Sequence, residues 1–379
     1  MGDRGRGVDA NDGADAVPGA PEVGPAPRAD QVVTVDEDAL LGALAAAVGA
    51  GDTAVSDELV IVRRGVRRRS IIYYVGVRAT PGVSRWVVKC PATGVERLGI
   101  QPPAPAEDQF EALRRLHAFL AASGGRFASP RPVALLPEFS ALAMEFAQGR
   151  SLWELVQPAA LHRPQELLAG VREAALALRH LHSIEPPRAQ LVDLRELENT
   201  VFEDSAAALR GAGLPVKDRW FTPGLRPSSA VTQVVLLHGD WAPENVLLAE
   251  DHVFLLDPEL TDHGWAEHDL ARFLLMLLDR SLFVATDTFG RSRRLRHEAT
   301  STFLTAYYGT APVSPVLGPL LLRETARRWT VRHQDVVNGG RRLRRPRSRL
   351  LRGYFSRVLD EVSDPQWADS ARNNGSPLP

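Results

Sequence analysis

The pattern of hydrophobic and polar positions divides the chain into a strand-rich first part and a helical second part. Between residues 59 and 89, the apolar runs LVIV, SIIYYVGV and SRWVVK are separated by arginine-rich and Pro-Gly turns. This arrangement predicts an antiparallel meander. A helix is predicted at 106–122, followed by short strands at 133–136 and 141–146. Four apolar residues recur in that helix at helical spacing: Phe110, Leu113, Leu116 and Leu120.

Beyond Gly149 the apolar positions follow a helical period, which indicates a second domain. Long helices are predicted at 164–182 and 194–209, and further helices from about Glu267 to about Val362. Three short apolar runs between these helices are predicted to be strands: 234–237, 246–248 and 253–256.

The two ends of the chain lack a core-forming pattern. Residues 1–32 are rich in Gly, Ala, Asp and Pro and nearly devoid of aromatic or branched apolar residues, so a disordered tail is predicted. Thr34 and Glu37 then have the spacing of a capping box, which predicts a helix at 38–48. Residues 363–379 are predicted to form a loose C-terminal tail.

Composition and charge indicate an ordinary globular protein. The 379 residues are 44% hydrophobic and 24% charged, with a formal net charge of -1, so the overall charge does not favour a nucleic-acid partner. The single cysteine, Cys90, excludes an intrachain disulfide framework and suits a reducing compartment. No apolar run approaches the roughly 20 residues that cross a bilayer, and the first residues lack a signal-peptide core. We therefore expect a cytoplasmic protein with no membrane insertion.

Lysine is rare in this chain. Only Lys89 and Lys217 are lysine, while every other basic residue is arginine. Arginine replaces lysine easily on a solvated surface, but not where a compact ammonium group must fit a confined site. Each lysine is therefore a candidate for a specific role.

The strongest chemical signal is HGDWAPEN, which runs from residue 238 to Asn245. Asp240 follows a predicted strand, Asn245 lies at the exit of the loop, and Asp257 ends the next pair of strands. A turn followed by a hairpin would bring these three side chains together. Phosphoryl transfer needs a carboxylate for the attacking hydroxyl and oxygen ligands for Mg²⁺. Simple hairpin turns are the alternative, but the strands, their order and the later aspartate favour phosphoryl transfer.

The runs HGDWAPENVLL, VFLLDPE and EHDLARF resemble the aminoglycoside phosphotransferase and choline kinase family, whose members are relatives of protein kinases. The resemblance covers roughly residues 55 to 280. It implies a two-lobed, protein-kinase-like α+β fold with nucleotide bound between the lobes. The N-terminal lobe would be an antiparallel β-sheet at 33–147, and the mainly helical C-terminal lobe would span 148–362.

The same resemblance implies roles for individual residues. Asp240 would be the catalytic base, and Asn245 and Asp257 would be the ligands of Mg²⁺, with ATP or GTP as co-substrate. Asp269 in HDLA would brace the catalytic loop, of which His238 would be a structural member.

The family scheme also requires a lysine on an N-lobe strand to hold the nucleotide phosphates, and Lys89 in SRWVVK matches it. The alternative is a strand-end lysine that reaches water. A helical glutamate should fix that lysine, and Glu111 matches the family position, with Glu107 as its rival. Glu111 could equally pair with Arg114 or Arg115 on a solvated helix face.

Two nucleotide-binding segments carry weaker signals. AMEFAQGRSL resembles the family's hinge, where backbone groups around Glu145 and Ala147 would meet the purine edge, although a strand leaving the core is an equal alternative. The loop RRGVRRRS departs from the kinase pattern because Gly65 is its single glycine. Its side chains could hold phosphates instead, or the run is a solvated hairpin end, which we favour. The candidate side chains are Arg67, Arg68 and Ser70.

Other kinds of site are not favoured. The histidine pairs His180 and His182, and His263 and His268, lack a third metal ligand at helical spacing, so core or surface positions are predicted. A serine hydrolase is excluded because the chain has no G-x-S-x-G segment.

Three features indicate a small-molecule acceptor rather than a protein. Ala242 stands where protein serine/threonine kinases carry a lysine, and Pro258-Glu259 replaces Phe-Gly after the metal-binding aspartate. The path from Asp257 to Asp269 leaves no room for a long activation segment.

The acceptor walls are predicted between residues 182 and 231 and in the helices after Asp269. Those helices are rich in arginine, which argues against a polycationic aminoglycoside and favours a neutral or anionic hydroxylated compound. Contact of the stretch 341–349 with RNA or an anionic membrane is a further possibility, but we favour a solvated basic face. Among the arginines of the helices after Asp269 are Arg327, Arg328, Arg332, Arg341, Arg342, Arg344, Arg345 and Arg347.

The competing hypothesis is a catalytically silent nucleotide-binding scaffold. The identity of the acceptor, the nucleobase preference, the oligomeric state and the choice between resistance and biosynthesis stay open.

Overall fold

The structure is a computed structural model, and the following statements concern the residues that it describes. These are residues 35–49, 59–66, 70–91, 104–157, 162–217, 220, 228–260, 263–279, 281–286, 290–338, 344–364 and 367. The tail predicted at 1–32 lies outside the described residues, as does most of the tail predicted at 363–379.

Five strands form the N-terminal sheet. They are β1 (Leu59–Val66), β2 (Ser70–Val77) and β3 (Ser84–Pro91), joined by Pro132–Leu136 and Ala141–Glu145, which are β5 and β6 in chain order. The sheet is antiparallel, in the order β1-β2-β3-β6-β5. The predicted meander and the two later strands are thereby confirmed. The pairing of β2 with β3 shifts register at Gly76, where an added Cβ would lie 2.1 Å from the Val83 carbonyl oxygen.

Two helices pack against this sheet, α1 (Glu37–Gly49) and α2 (Ala106–Ser123). Both were predicted, α1 from the capping-box spacing and α2 from the apolar spacing. The start of α1 differs in detail from the predicted capping box, because the Ala39 amide donates to Asp36 Oδ1 at 3.1 Å. Asp36 therefore caps the helix, and Thr34 lies outside the described residues.

The second part of the chain is dominated by helices that share one core. Its large buried side chains include Trp241, Phe273, Phe303, Trp329 and Phe355. The helices are α3 (Leu152–Leu155), α4 (Pro164–Leu181), α5 (Leu194–Gly211), α6 (Glu267–Leu278), α7 (Ser281–Thr286), α8 (Gly290–Tyr308), α9 (Leu317–Asn338) and α10 (Arg344–Val362). Helix α4 packs on α8, while α5, α6 and α10 pack on α9. The predicted helical character of this part is confirmed.

Seven short strands form two small sheets. The first sheet contains, in spatial order, β4 (Phe127–Ala128), β11 (Val253–Leu255), β10 (Val246–Leu248) and β7 (Arg150–Ser151). The second contains β12 (His263–Trp265), β9 (Ser229–Leu236) and β8 (Arg188–Asp193). Strands β9, β10 and β11 had been predicted. The others were missed because they are very short or, like β8, expose all of their residues except Val192, which leaves no alternating pattern.

The result is the two-lobed α+β architecture that the sequence predicted. Lobe boundaries at 147 and 148 stay a prediction, supported by the end of β6 at Glu145. Within the described residues, no helix is long and apolar enough to cross a membrane.

Candidate active site

The loop after β9 carries Asp240 and is held by its apolar neighbours. Trp241 is fully buried, with its ring centroid 4.9 Å from that of His238 and 6.2 Å from that of Phe273. Gly239 has φ +84°, and a Cβ there would lie 2.9 Å from Glu259 Cβ, so a larger residue does not fit. Asp240 itself keeps 24% of its side chain exposed. The loop is thus anchored on one side and offers a carboxylate on the other.

Asp269, the third residue of α6, fixes the backbone of the loop that carries Asp240. Its Oδ2 accepts the His238 amide at 2.7 Å, and its Oδ1 accepts the Gly239 amide at 3.1 Å. Burial alone would raise the pKa of Asp269, but the hydrogen bond from His182 and the positive groups and amides around it outweigh burial and lower it. Asp269 is therefore an ionised brace at the position that the family resemblance implied.

His182 belongs to the same brace. It is buried, and its ring nitrogens lie 3.0 Å from Asp269 Oδ2 and 2.7 Å from the Tyr307 hydroxyl. The sequence predicted only a core or surface histidine. Its partners lie 87 and 125 residues away along the chain, so no local pattern could have indicated the contact.

Asn245 and Asp257 are brought to Asp240 by the turn and the hairpin of β10 and β11. Asn245 Nδ2 donates to the Asp240 carbonyl at 2.7 Å and lies 3.4 Å from Asp240 Oδ2. The Leu256 amide donates to the Asn245 carbonyl at 2.9 Å, which places Asp257 immediately beside Asn245. Asp257 has φ +51°, an unfavourable value for a residue with a Cβ, and such strain is found preferentially at functional sites.

These two side chains fit a magnesium ion. The Asn245 amide nitrogen is used within the loop, which leaves the side-chain oxygen as a ligand, and 38% of the Asp257 side chain is exposed. Mg²⁺ binds through one or two protein oxygens and completes its shell with water and phosphates. Within the described part of the chain, no group of three or more His, Cys, Asp or Glu residues is arranged so that it could hold a metal ion.

Lys89 connects the N-terminal sheet to this group. Its Nζ lies 3.0 Å from Asp257 Oδ1, and only 14% of its side chain is exposed. It is thus a confined ammonium beside Asp257, the expected metal ligand, rather than a strand-end lysine in water.

Glu111 is placed differently from the expected brace of Lys89. It is 60% exposed, and both of its carboxylate oxygens accept from Arg114 at 2.8 Å. That contact lowers the pKa of Glu111. Gln109 and Leu113 lie on the face of α2 that lines a small cavity with Asp257. Residue 111 is about 200° from residue 109 around a helix, so it faces away from the cavity.

The hinge segment follows β6. The Glu145 amide donates to the Arg131 carbonyl at 2.9 Å, and the Phe146 amide donates to the Arg85 carbonyl at 2.8 Å. The amide groups of Glu145 and Phe146 are thus already hydrogen-bonded within the N-terminal lobe. Ala147 follows at the point where the chain leaves the sheet.

Arg272 is a residue of the site that the sequence did not reveal. Its Nε donates to Asp240 Oδ1 at 2.8 Å, and its Nη2 contacts the same oxygen. Burial would lower the pKa of Arg272, but the carboxylates of Asp240, Glu324 and Glu259 together outweigh burial and raise it. One local pattern could have indicated Arg272. It lies three residues after Asp269 in EHDLARF, a spacing that places both side chains on one face of α6.

Several other predicted features lie away from the site or outside the described residues. Arg328 and Arg332 both bind the buried carboxylate of Asp279, so they are structural. His263 pairs with Glu185. Arg67, Arg68, Arg341 and Arg342, and the side chains of Arg344, Arg345 and Arg347, lie outside the described residues.

Comparison with known proteins identifies the family of the chain. The sequence profile of the phosphotransferase enzyme family (APH) matches residues 72–302, well over half of the 379 residues. The chain belongs to this family. The matched range of this phosphotransferase includes Lys89, Asp240, Asn245 and Asp257. No curated protein matches the chain.

Solved structures of kinases are similar to this chain at low identity. A glucosamine kinase superposes with a TM-score of 0.51 at 14% identity, covering 86% of this chain and 82% of the other. A choline/ethanolamine kinase family protein from Mesorhizobium loti gives a TM-score of 0.45 at 13% identity, with 87% and 98% covered. An amicoumacin kinase in complex with AMP-PNP, Ca²⁺ and Ami gives 0.46 at 13%, with 86% and 94% covered. The likeness to glucosamine kinase supports the two-lobed, kinase-like fold.

Proposed function

We propose that this phosphotransferase transfers the terminal phosphoryl group of ATP or GTP to a hydroxyl group of a small molecule. The observation that carries the proposal is the group of four side chains around the catalytic loop. Asn245 Nδ2 lies 2.7 Å from the Asp240 carbonyl oxygen, and Lys89 Nζ lies 3.0 Å from Asp257 Oδ1. A base, two oxygen ligands and a confined ammonium together are what phosphoryl transfer requires.

The roles follow from the chemistry of each group. Asp240 accepts the proton of the acceptor hydroxyl, whose oxygen bonds to the γ-phosphorus while the bond to the β–γ bridging oxygen breaks and the nucleoside diphosphate leaves. Asn245 and Asp257 hold Mg²⁺, which when bound neutralises charge on the phosphates. Lys89 binds the α- and β-phosphates. Backbone groups around Glu145 and Ala147 bind the purine, as the hinge resemblance suggests.

A small acceptor is supported by the short path between Asp257 and Asp269, which has no room for an activation segment. Glu259 and Glu324 lie near Arg272, so the charges beside the base are mixed. A polycation needs a strongly acidic pocket. We therefore propose an antibiotic, a sugar or a related metabolite that is neutral or anionic, phosphorylated in the cytoplasm.

The test is a panel of hydroxylated compounds with labelled ATP and GTP, for the wild type and Asp240→Asn. The panel includes glucosamine, choline, neutral sugars, sugar phosphates and one aminoglycoside. We expect Mg²⁺-dependent transfer to a neutral or anionic compound, and a loss of about 10²- to 10⁴-fold in kcat for Asp240→Asn, the usual contribution of a positioned base.

The matched control is Asp251→Asn, which removes an exposed carboxylate from the turn between β10 and β11. It should keep full turnover. Full turnover in Asp240→Asn would refute the assignment of the base. Nucleotide binding without transfer to any compound would instead favour the silent nucleotide-binding scaffold.

A further inference from the structure

The carboxylate of Asp240 is held by one guanidinium group. Arg272 donates to Asp240 Oδ1 from Nε at 2.8 Å and contacts the same oxygen through Nη2. The second oxygen, Oδ2, is 3.4 Å from Asn245 Nδ2, too long for a strong hydrogen bond. One oxygen of the base is thus engaged firmly, and the other can accept a new donor.

The helix that carries Arg272 is rigid at this point. Its neighbours Ala271 and Phe273 are fully buried, and Asp269, one turn earlier, binds the loop backbone at His238 and Gly239. Helix α6 therefore binds the backbone of the loop through Asp269 and the carboxylate of Asp240 through Arg272. Because its backbone and its carboxylate are both fixed, Asp240 has little freedom to rotate away from the acceptor.

The surroundings of the guanidinium strengthen the contact. The side chain of Arg272 is 33% exposed, so water screens the pair only partly. The other charged groups near it are Glu259, which follows Asp257, and Glu324 from α9. Within HGDWAPEN the loop supplies no cation of its own, since Ala242 occupies the position of the protein-kinase lysine.

We infer that Arg272 is the positioning residue of the catalytic base: it fixes Asp240 through Oδ1 and directs Oδ2 at the acceptor hydroxyl. The inference rests on the proposed function, because it acts through Asp240. In the transfer step the acceptor proton passes to Oδ2, and Arg272 remains a cation hydrogen-bonded to Oδ1 throughout. A guanidinium suits this task because its fork of N–H groups binds a carboxylate in a defined plane.

The experiment compares Arg272→Met and Arg272→Lys with the wild type, using labelled ATP and the compound with the highest turnover in the panel above. Arg272→Met should lower kcat by about 10²-fold, the lower limit for a positioned base, with the nucleotide KM changed less than about threefold. Arg272→Lys should restore only part of kcat, because an ammonium group returns the charge but not the planar fork of N–H groups.

Arg172→Met is the matched control, since it removes an exposed arginine of α4 and should leave kcat and the nucleotide KM unchanged. A crystal structure of Arg272→Met provides a readout without any acceptor, and it should show the Asp240 carboxylate rotated or in two conformers. A structural role alone would lower the active fraction without rotating the Asp240 carboxylate.

Failure of this inference is distinguishable from failure of the proposed function. An unchanged kcat in Arg272→Met, together with loss of turnover in Asp240→Asn, would overturn the role of Arg272 alone. A fall in kcat with an unmoved Asp240 carboxylate would also overturn it. Full turnover in both variants would overturn the proposed function.

Discussion

At the scale of single residues, the site depends on groups whose exact chemistry cannot be exchanged. Lys89 is 14% exposed and touches Asp257, whereas Lys217, the other lysine, binds Asp360 at 2.9 Å and is 37% exposed. Arginine is larger and planar, so it replaces lysine at the second position but not at the first. The two lysines of this chain thus form a natural pair for comparison.

We predict that Lys89→Arg raises the nucleotide KM by about tenfold or more, equivalent to about 1.4 kcal/mol of binding. Lys217→Arg should leave the KM unchanged, because an arginine can bind Asp360 in the same place. Steady-state kinetics with ATP and GTP measure both. Equal KM values in the two variants would argue that Lys89 does not contact the nucleotide.

At the scale of elements, the catalytic loop requires a backbone that few residues adopt. Gly239 and Gly213 both have positive φ, at +84° and +66°. An added Cβ at Gly213 would meet nothing within 4 Å, whereas at Gly239 it would lie 2.9 Å from Glu259 Cβ. A substitution at Gly213 therefore tests the cost of the left-handed backbone alone, and one at Gly239 tests that cost together with the steric clash.

We predict that Gly213→Ala destabilises the protein by about 1–2 kcal/mol, the cost of a left-handed alanine, and keeps its turnover. Gly239→Ala should cost more and should also reduce kcat, because Glu259 and the loop must separate. Urea unfolding measures the stability of both variants, and steady-state kinetics measure their kcat. A smaller loss of stability in Gly239→Ala than in Gly213→Ala would contradict the steric argument.

The helices and strands also show which parts of this fold could be predicted from the sequence and which could not. Helices with a continuous apolar face, such as α4, were predicted within a few residues, because the period of 3.6 is a local property. Strand β8 was missed because its pairing with β9 lies about 40 residues further along the chain and its own side chains are mostly exposed. Glu111 was assigned by position in the family pattern, but the rotation of α2 places Gln109 on the inner face.

At the scale of the whole molecule, the buried His238 and the partly buried His268 couple folding to pH. Burial lowers the pKa of His238 and of His268, and the nearby Arg323 lowers the latter further. The unfolded chain then binds more protons than the folded chain at pH values below about 6.5, the ordinary histidine value. Stability therefore rises with pH through this range and falls on acidification.

We predict that the free energy of unfolding is smaller at pH 5.5 than at pH 7.5. In His268→Gln the difference between the two pH values should shrink, because one buried group no longer titrates. His162→Gln removes an exposed histidine and should leave the difference as in the wild type. Urea unfolding at both pH values provides the measurement, and an undiminished difference in His268→Gln would refute the assignment.

By itself, the sequence determined the long helices, the five strands of the N-terminal sheet, strands β9, β10 and β11, the family, and the candidates Asp240, Asn245, Asp257 and Lys89. These depend on local periodicity, on turn spacing and on the rarity of lysine, all of which one chain displays along its length. Tertiary structure alone decided which groups touch Asp240 and Asp269. Arg272 lies 32 residues from Asp240, and His182 lies 87 residues from Asp269. Contacts of this kind arise only when packed helices bring distant side chains together, so they have no period and leave no local pattern.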